Sequence, residues 1–139
     1  MRLYQAKIPS IATQIVRDLL KDADIEAEAP KNVEQDVAAV LKSYLDAERN
    51  VTERTKDLMQ VRGLPQAEFA RTKKLVAEQH GIAIGDEMLD YLLDQLVSML
   101  LHSGNVDEVF APDVDMRRKM TMVLKKELAL EEQIEQETR

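Results

Sequence analysis

Residues 86–103 read DEMLDYLLDQLVSMLLHS, and this stretch decides the fold. Leu89, Leu92, Leu93, Leu96, Val97, Leu100 and Leu101 recur at spacings of three and four, the period of one helix face. Asp86 is placed to cap the start, because a carboxylate accepts the free N–H groups of a first turn. Gly104 is placed to close the end in the left-handed conformation that a Cβ disfavours. Met88 and Met99 widen the apolar arc past half the circumference, so a single neighbouring helix would not cover it. The spacing predicts a central core helix.

The composition around it agrees. Of 139 residues, 45% are hydrophobic but only 4% aromatic, and Gly and Pro number four each. Leu, Ala, Glu, Lys, Met and Gln dominate, the residues that lose least on entering a helix. One all-α domain over 1–139 is expected. The chain has no cysteine, which excludes disulfides, thiolate chemistry and Cys-ligated zinc. The start, MRLYQAKIPS, lacks the apolar core of a signal peptide. Asp90 and Asp94 interrupt the richest apolar run well short of the ~18 residues a membrane span needs. The expected location is cytoplasmic, with no membrane contact.

The net charge of −7 makes nucleic acid a disfavoured partner overall. Residues 86–139 hold thirteen Asp/Glu against six Lys/Arg, so the acidity belongs to the C-terminal part.

Taken in order, Pro9 and Ser10 open a first helix to about Lys21, with Ile8, Ile11, Ile15 and Leu19 on one face. Asp22–Pro30 breaks the pattern and reads as a short extended piece. Asn32, with Gln35 three residues on, looks like a capping box for a second helix that ends at Arg62. Val33, Val37, Val40, Tyr44, Ala47, Val51 and Leu58 follow heptad-like spacing, interrupted at Arg54; Leu41 and Leu45 broaden the stripe. Gly63 and Pro65 separate this helix from a basic third one, about Gln66 to His80. Ile82-Ala83-Ile84 forms an extended connector. After Gly104, Val106, Val109 and Phe110 are expected to plug the core from a loop or single helical turn. Asp113 or Asp115 then caps a last helix with a seam of Met116, Met120, Val123, Leu130 and Ile134.

The two ends of the chain also resemble each other. Ile11, Ile15, Val16, Leu19 and Leu20 correspond to Leu92, Leu96, Val97, Leu100 and Leu101 at a shift of 81, and Ile25 to Val106. Ala29-Pro30 corresponds to Ala111-Pro112 at 82. Val40-Leu41-Lys42 corresponds to Val123-Leu124-Lys125 at 83, with Tyr44 replaced by Glu127. Two diverged helical-hairpin repeats, 1–62 and 86–139, are expected to pack about a pseudo-twofold axis. The basic helix and loop 63–85 would join them.

MRLYQAKIP, GDEMLDYLLDQLVSMLLHSGNVDEVFA and DMRRKMTMVLKKEL resemble a bacterial family known only as domain of unknown function five-zero-seven. The resemblance implies a duplicated all-helical unit of the bacterial cytosol. It carries over no activity and no functional residue.

The chemistry-bearing residues argue against an enzyme. His80 and His102 fall at predicted helix ends, where an imidazole suits the last carbonyls. Neither has the Glu three residues earlier that di-iron bundles use. Asp90 and Asp94, with Glu87, form a paired-carboxylate stripe that reads as a solvated face. There is no phosphate-binding loop, dinucleotide glycine pattern or Ser/His/Asp arrangement. No cofactor is expected, and a metal-assisted enzyme is the weakest alternative. Two basic clusters, Arg71, Lys73 and Lys74, and Arg117, Arg118, Lys119, Lys125 and Lys126, could serve RNA or a ribosome, but no stacking aromatics accompany them. Met88, Met99, Met116 and Met120 read as core rather than as an adaptable groove.

The leading expectation is a non-enzymatic protein-interaction or self-association module. The second repeat ends before any counterpart of the basic helix. Its seam of Met116, Met120, Val123, Glu127, Leu130 and Ile134 is therefore the expected docking surface, with Glu127 facing a cation across the contact.

Overall fold

In the computed structural model the backbone is described for residues 3–137 and side chains as far as Leu128. The helices are α1 (Ile8–Lys21), α2 (Pro30–Arg62), α3 (Phe69–Gln79), α4 (Met88–His102) and α5 (Asp113–Glu137). Two-residue strands, β1 (Ile25–Glu26) and β2 (Glu108–Val109), lie between α1 and α2 and between α4 and α5. Short 3-10 turns precede α1, α3 and α4. The chain is mostly helical, as its composition predicts.

Each of α1 and α4 packs on both α2 and α5, so the four close a ring around one core. Helix α4 is therefore a corner of the ring and not its hub. Its buried arc is Met88, Leu92, Leu93, Leu96, Val97 and Leu100, while Leu89 and Met99 are half-buried and Leu101 is 58% exposed. Two neighbours suffice for that arc. The helix with most partners is α2, which packs on α1, α3 and α4. Its 33 residues give a length of about 50 Å at ~1.5 Å per residue, more than twice that of α1. The first half of α2 faces the ring through Val33, Val37, Leu41 and Tyr44. Its second half overhangs, and α3 and the connector after it fold back to cover it with Val76, Ala77 and Ile82 around Val51. Thr55 takes the buried position that the Arg54 interruption left open; its hydroxyl donates to the Val51 carbonyl at 2.7 Å, which removes the cost of burying it.

The helix ends differ from the capping chemistry read from sequence. α2 starts at Pro30, with Ala29 at the cap and no side-chain cap bond, so Asn32 lies inside the first turn. Proline at the first position has no N–H to satisfy and a φ already suited to the helix. Asp86 lies within a 3-10 turn, and α4 likewise begins without a side-chain cap. At the far end Ser103 turns extended and stops α4, and Gly104 does not adopt the left-handed region. The left-handed stop does occur at Gly63, where the amides of Gly63 and Leu64 return to Gln60 and Met59.

β1 and β2 pair antiparallel, Ile25 opposite Val109 and Glu26 opposite Glu108. The segment after Gly104 is thus a strand rather than a loop or helical turn, because the extended piece after α1 offers its carbonyls. The amide of Asp107 donates to Glu26, and those of Phe110 and Ala111 donate to Asp24. Val106 and Val109 do pack against the core, half-buried. Phe110 does not plug it; the side chain is 61% exposed.

Candidate functional site

The inner seam of α5 is closed by the chain itself. Met116 and Met120 are 1% exposed and Val123 is 4% exposed, in one core with Ile11, Ile15, Leu92 and Leu96. The reason is the ring: α1 and α4 both pack on α5 and together cover it. Glu127 finds its cation within the chain, with Oε2 lying 3.7 Å from Lys7 Nζ. Met116, Met120, Val123 and Glu127 are therefore interior groups and not a docking surface. Leu130 and Ile134, the remaining members of that seam, lie outside the described side chains.

The basic residues are divided and mostly paired. Arg71, Lys73 and Lys74 stand on α3, which packs on α2; the others stand on α5. Lys73 Nζ lies 2.6 Å from Glu48 Oε1 and ties α3 to α2. Arg71 lies 4.0 Å from Glu68, and Arg118 lies 3.6 Å from Asp115. Arg117 bridges α5 to α4, 2.7 Å from Asp94 Oδ1, and also bonds Asp113 in its own first turn at 2.5 Å. These two hydrogen bonds, Asp94 first, raise the Arg117 pKa further above its ordinary value. Lys74, Lys125 and Lys126 are exposed and form no ion pair among the described residues. The sequence brought eight cations into two clusters; the fold leaves only part of that charge available.

Two polar clamps hold the strand-bearing end together. Lys119 on α5 reaches the turn after α1, 2.8 Å from Asp22 Oδ2 and also hydrogen-bonded to Asp24. The bond to Asp22, then that to Asp24, raises the Lys119 pKa, and the same lysine lowers that of Asp22. Asp36 on α2 reaches the turn after α4, accepting from Ser103 Oγ at 2.6 Å and Asn105 Nδ2 at 2.9 Å. Neither clamp was apparent from the sequence, because each joins residues more than sixty positions apart.

Both histidines cap helix ends. His80 Nδ1 lies 2.9 Å from the Val76 carbonyl oxygen, and His102 Nδ1 lies 2.8 Å from that of Ser98. A carbonyl only accepts, so Nδ1 carries the proton in each ring. Asp90 is exposed, and Asp94 is engaged with Arg117. Among the described residues, no group of three or more His, Asp or Glu is arranged to hold a metal ion.

Tyr44 separates two surface clefts. The larger, about 780 Å³, lies between the lead-in to α1, α2, α3 and the start of α4, with Leu45, Phe69 and Met88 in its apolar walls and Arg49 beside the Lys73–Glu48 pair. The smaller, about 360 Å³, runs between α2 and α4 past Val40, Tyr91 and Met99.

A different surface emerges on the outside of the C-terminal part. Leu101, Phe110, Val114 and Met122 are 58–70% exposed. Leu101 lies in the last turn of α4, Phe110 follows β2, and Val114 is in the first turn of α5, so these three flank the α4–α5 connection; Val61 at the end of α2 and Leu75 on α3 are exposed as well. Val114 and Met122 lie eight residues apart on α5, on one helical face with Arg118 between them. Sequence reasoning missed this face because it sought the longest apolar seam. The signal available was a pair of apolar residues at helical spacing off that seam.

Among the described residues, no helix is long and apolar enough to cross a membrane. A search of curated proteins gives no match. The family described as "Protein of unknown function (DUF507)" matches over residues 1–139, the whole chain, and this protein belongs to that family.

Proposed function

We propose that this chain is a cytosolic, non-enzymatic protein-interaction module whose docking surface is the outer face of its C-terminal half. The observation that carries the reading is the exposure of Leu101, Phe110, Val114 and Met122 on residues 86–139. Contiguous exposed apolar surface is uncommon on a monomer and marks interfaces, and three of these residues flank one connection, between α4 and α5. Photo-crosslinking residues placed at Phe110 and Met122 in the native cell test it. A discrete adduct from these positions, lost in a folded Val114→Glu variant, is expected. No adduct there, with adducts from control positions elsewhere, would remove this face as the docking site.

We also read the module as two diverged copies of one unit. The order 3-10 turn, helix, strand, helix runs through Gln5–Arg62 and again through Gly85–Glu137. Exchanging α1 with α4 and α2 with α5 leaves the ring of packed pairs unchanged, which supports the pseudo-twofold. The clamps fit the same relation: Asp36 and Lys119 differ by 83 positions, and the turns they hold, at Asp22–Asp24 and Ser103–Asn105, differ by 81. Transplanting the lysine clamp tests this. Asp36→Lys with Ser103→Asp and Asn105→Asp should fold with near-native stability, whereas a large loss would argue that the two corners are unrelated.

An RNA-associated role rests on Lys74, Lys125 and Lys126, the members of the two basic clusters that are exposed and form no ion pair among the described residues. Retention on RNA with steep salt dependence would favour it.

A further inference from the structure

We propose that the larger cleft, between α2 and α3, is a binding site for a small amphiphile with an apolar body and one anionic head, a carboxylate or a phosphate. At about 780 Å³ it has the size of a pocket that takes a drug-sized molecule, and it is separate from the outer face of the C-terminal half. Its walls are two helix stripes. Tyr44, Leu45, Glu48, Arg49 and Thr52 recur along one side of α2, and Phe69, Ala70 and Lys73 along one side of α3. The lead-in to α1 and the start of α4 add Leu3 and Met88, 4% and 5% exposed. Lys73 ties the two walls through Glu48, and the Tyr44 hydroxyl ties α2 to the connector at Ala83. The cleft is thus preformed, and a ligand has little ordering left to bring about.

The charges select the head group. Glu48, Arg49 and Lys73 are the charged side chains of the cleft lining. Glu48 accepts from Lys73 at 2.6 Å, so these two cancel. Arg49 forms no ion pair among the described residues, and the acid one turn further on, Glu53, is held by Lys56 at 3.7 Å. A cationic ligand would meet Arg49 with no acid left to receive it. A wholly apolar ligand would fill the walls and make no use of Arg49. An anionic head accepts two parallel bonds from the guanidinium, whether it is a carboxylate or a phosphate. Arg49 is exposed while Leu45, Phe69 and Ile84 are half-buried, which suits a head left partly in water and a body laid inside. A head so placed escapes most of the desolvation cost of a buried charge.

Fluorescence titration of the full chain tests the site with two probes, anilinonaphthalene sulfonate and its uncharged counterpart phenylnaphthylamine. Saturable binding of one anionic probe per chain is expected, with the uncharged probe binding more weakly. Arg49→Gln, at an exposed position, should weaken the anionic probe by about tenfold and leave the uncharged one unchanged. Ala70→Phe, exposed on the α3 wall, should fill the cleft and remove both signals, with circular dichroism confirming that each variant is folded. Val114→Glu on the outer face should alter neither. Decanoate and decyl phosphate, in separate arms, should displace the anionic probe, and the one effective at lower concentration identifies the head. The proposal is overturned by the absence of saturable binding to the wild type, or by displacement with neither amphiphile. It is equally overturned by anionic-probe binding that Arg49→Gln or Ala70→Phe leaves unaltered, or that Val114→Glu removes.

Discussion

The hydroxyl of Tyr44 donates a 2.8 Å hydrogen bond to the carbonyl oxygen of Ala83. This bond joins the middle of α2 to the connector ahead of α4. Tyr44 is 5% exposed, and its ring lies 5.8 Å from that of Tyr91, tilted by 48°. It belongs to the ring core, while Tyr91 touches both that core and the one under α3. Tyr44→Phe keeps the ring and removes the bond, and should cost about 0.5–1.5 kcal/mol in urea unfolding.

The same site sets a pH dependence. Burial first, with Glu48 and Tyr91 adding to it, pushes the Tyr44 pKa from 10.0 up to about 12. The folded state favours the neutral phenol, so this contribution to stability is complete below pH 10 and is lost as pH rises through about 12. Wild-type stability should fall more steeply over that interval than that of Tyr44→Phe. Parallel curves would contradict the assignment.

Leu96 is 0% exposed and Leu100 is 1% exposed, where α4 meets the rest of the core. Leu96→Ala removes buried methyl groups and leaves a cavity, an expected loss of about 2–5 kcal/mol. A change below about 0.5 kcal/mol by urea unfolding would mean that the site collapses freely.

Ala23 has φ of 57°, the single non-glycine positive φ among the described residues. Its amide and that of Asp24 return to the carbonyls of Leu20 and Leu19, the bonds of a left-handed helix stop usually made by glycine. Ala23→Gly relieves the Cβ strain but frees the unfolded chain, and the first effect should win by about 0.5–1 kcal/mol. Thermal unfolding reads the sign directly; a lower melting temperature would refute it.

Lys119→Met deprives Asp24, 8% exposed, of its cation while keeping most of the side-chain volume. The loss of this charge-assisted bond should cost about 1–3 kcal/mol at neutral pH. Asp22 has its pKa lowered by the same lysine, so its share is present above the ordinary carboxylate pKa and is lost as pH falls through the lowered value. The gap between wild type and Lys119→Met in chemical unfolding should therefore narrow in acid. A constant gap down to strongly acidic pH would show that the Asp22 carboxylate does not contribute to the effect.

The sequence by itself determined the helices and most of their buried faces. Ile8, Ile11, Ile15 and Leu19, and Leu92, Leu96 and Leu100, are buried as their spacing requires, since a helix with one apolar stripe must cover it. It also determined the end of α2 at Gly63 and Pro65, though not which glycine takes the left-handed turn, since the same reasoning puts that turn at Gly104. Tertiary structure decided everything that depended on which faces meet. Met116, Met120 and Val123 read as an open seam because a stripe shows that burial is needed but not by what; α1 and α4 supply it. Phe110 read as core because its chemistry favours burial, yet the pairing of β2 with β1 leaves it in solvent. The cations at 117 and 119 read as a patch because they are neighbours in sequence, while their carboxylates, at 94 and at 22 and 24, are brought to them only by the closed ring. Local periodicity fixes an element and its apolar side; the identity of its partners is a long-range property, decided when several such sides compete for one interior.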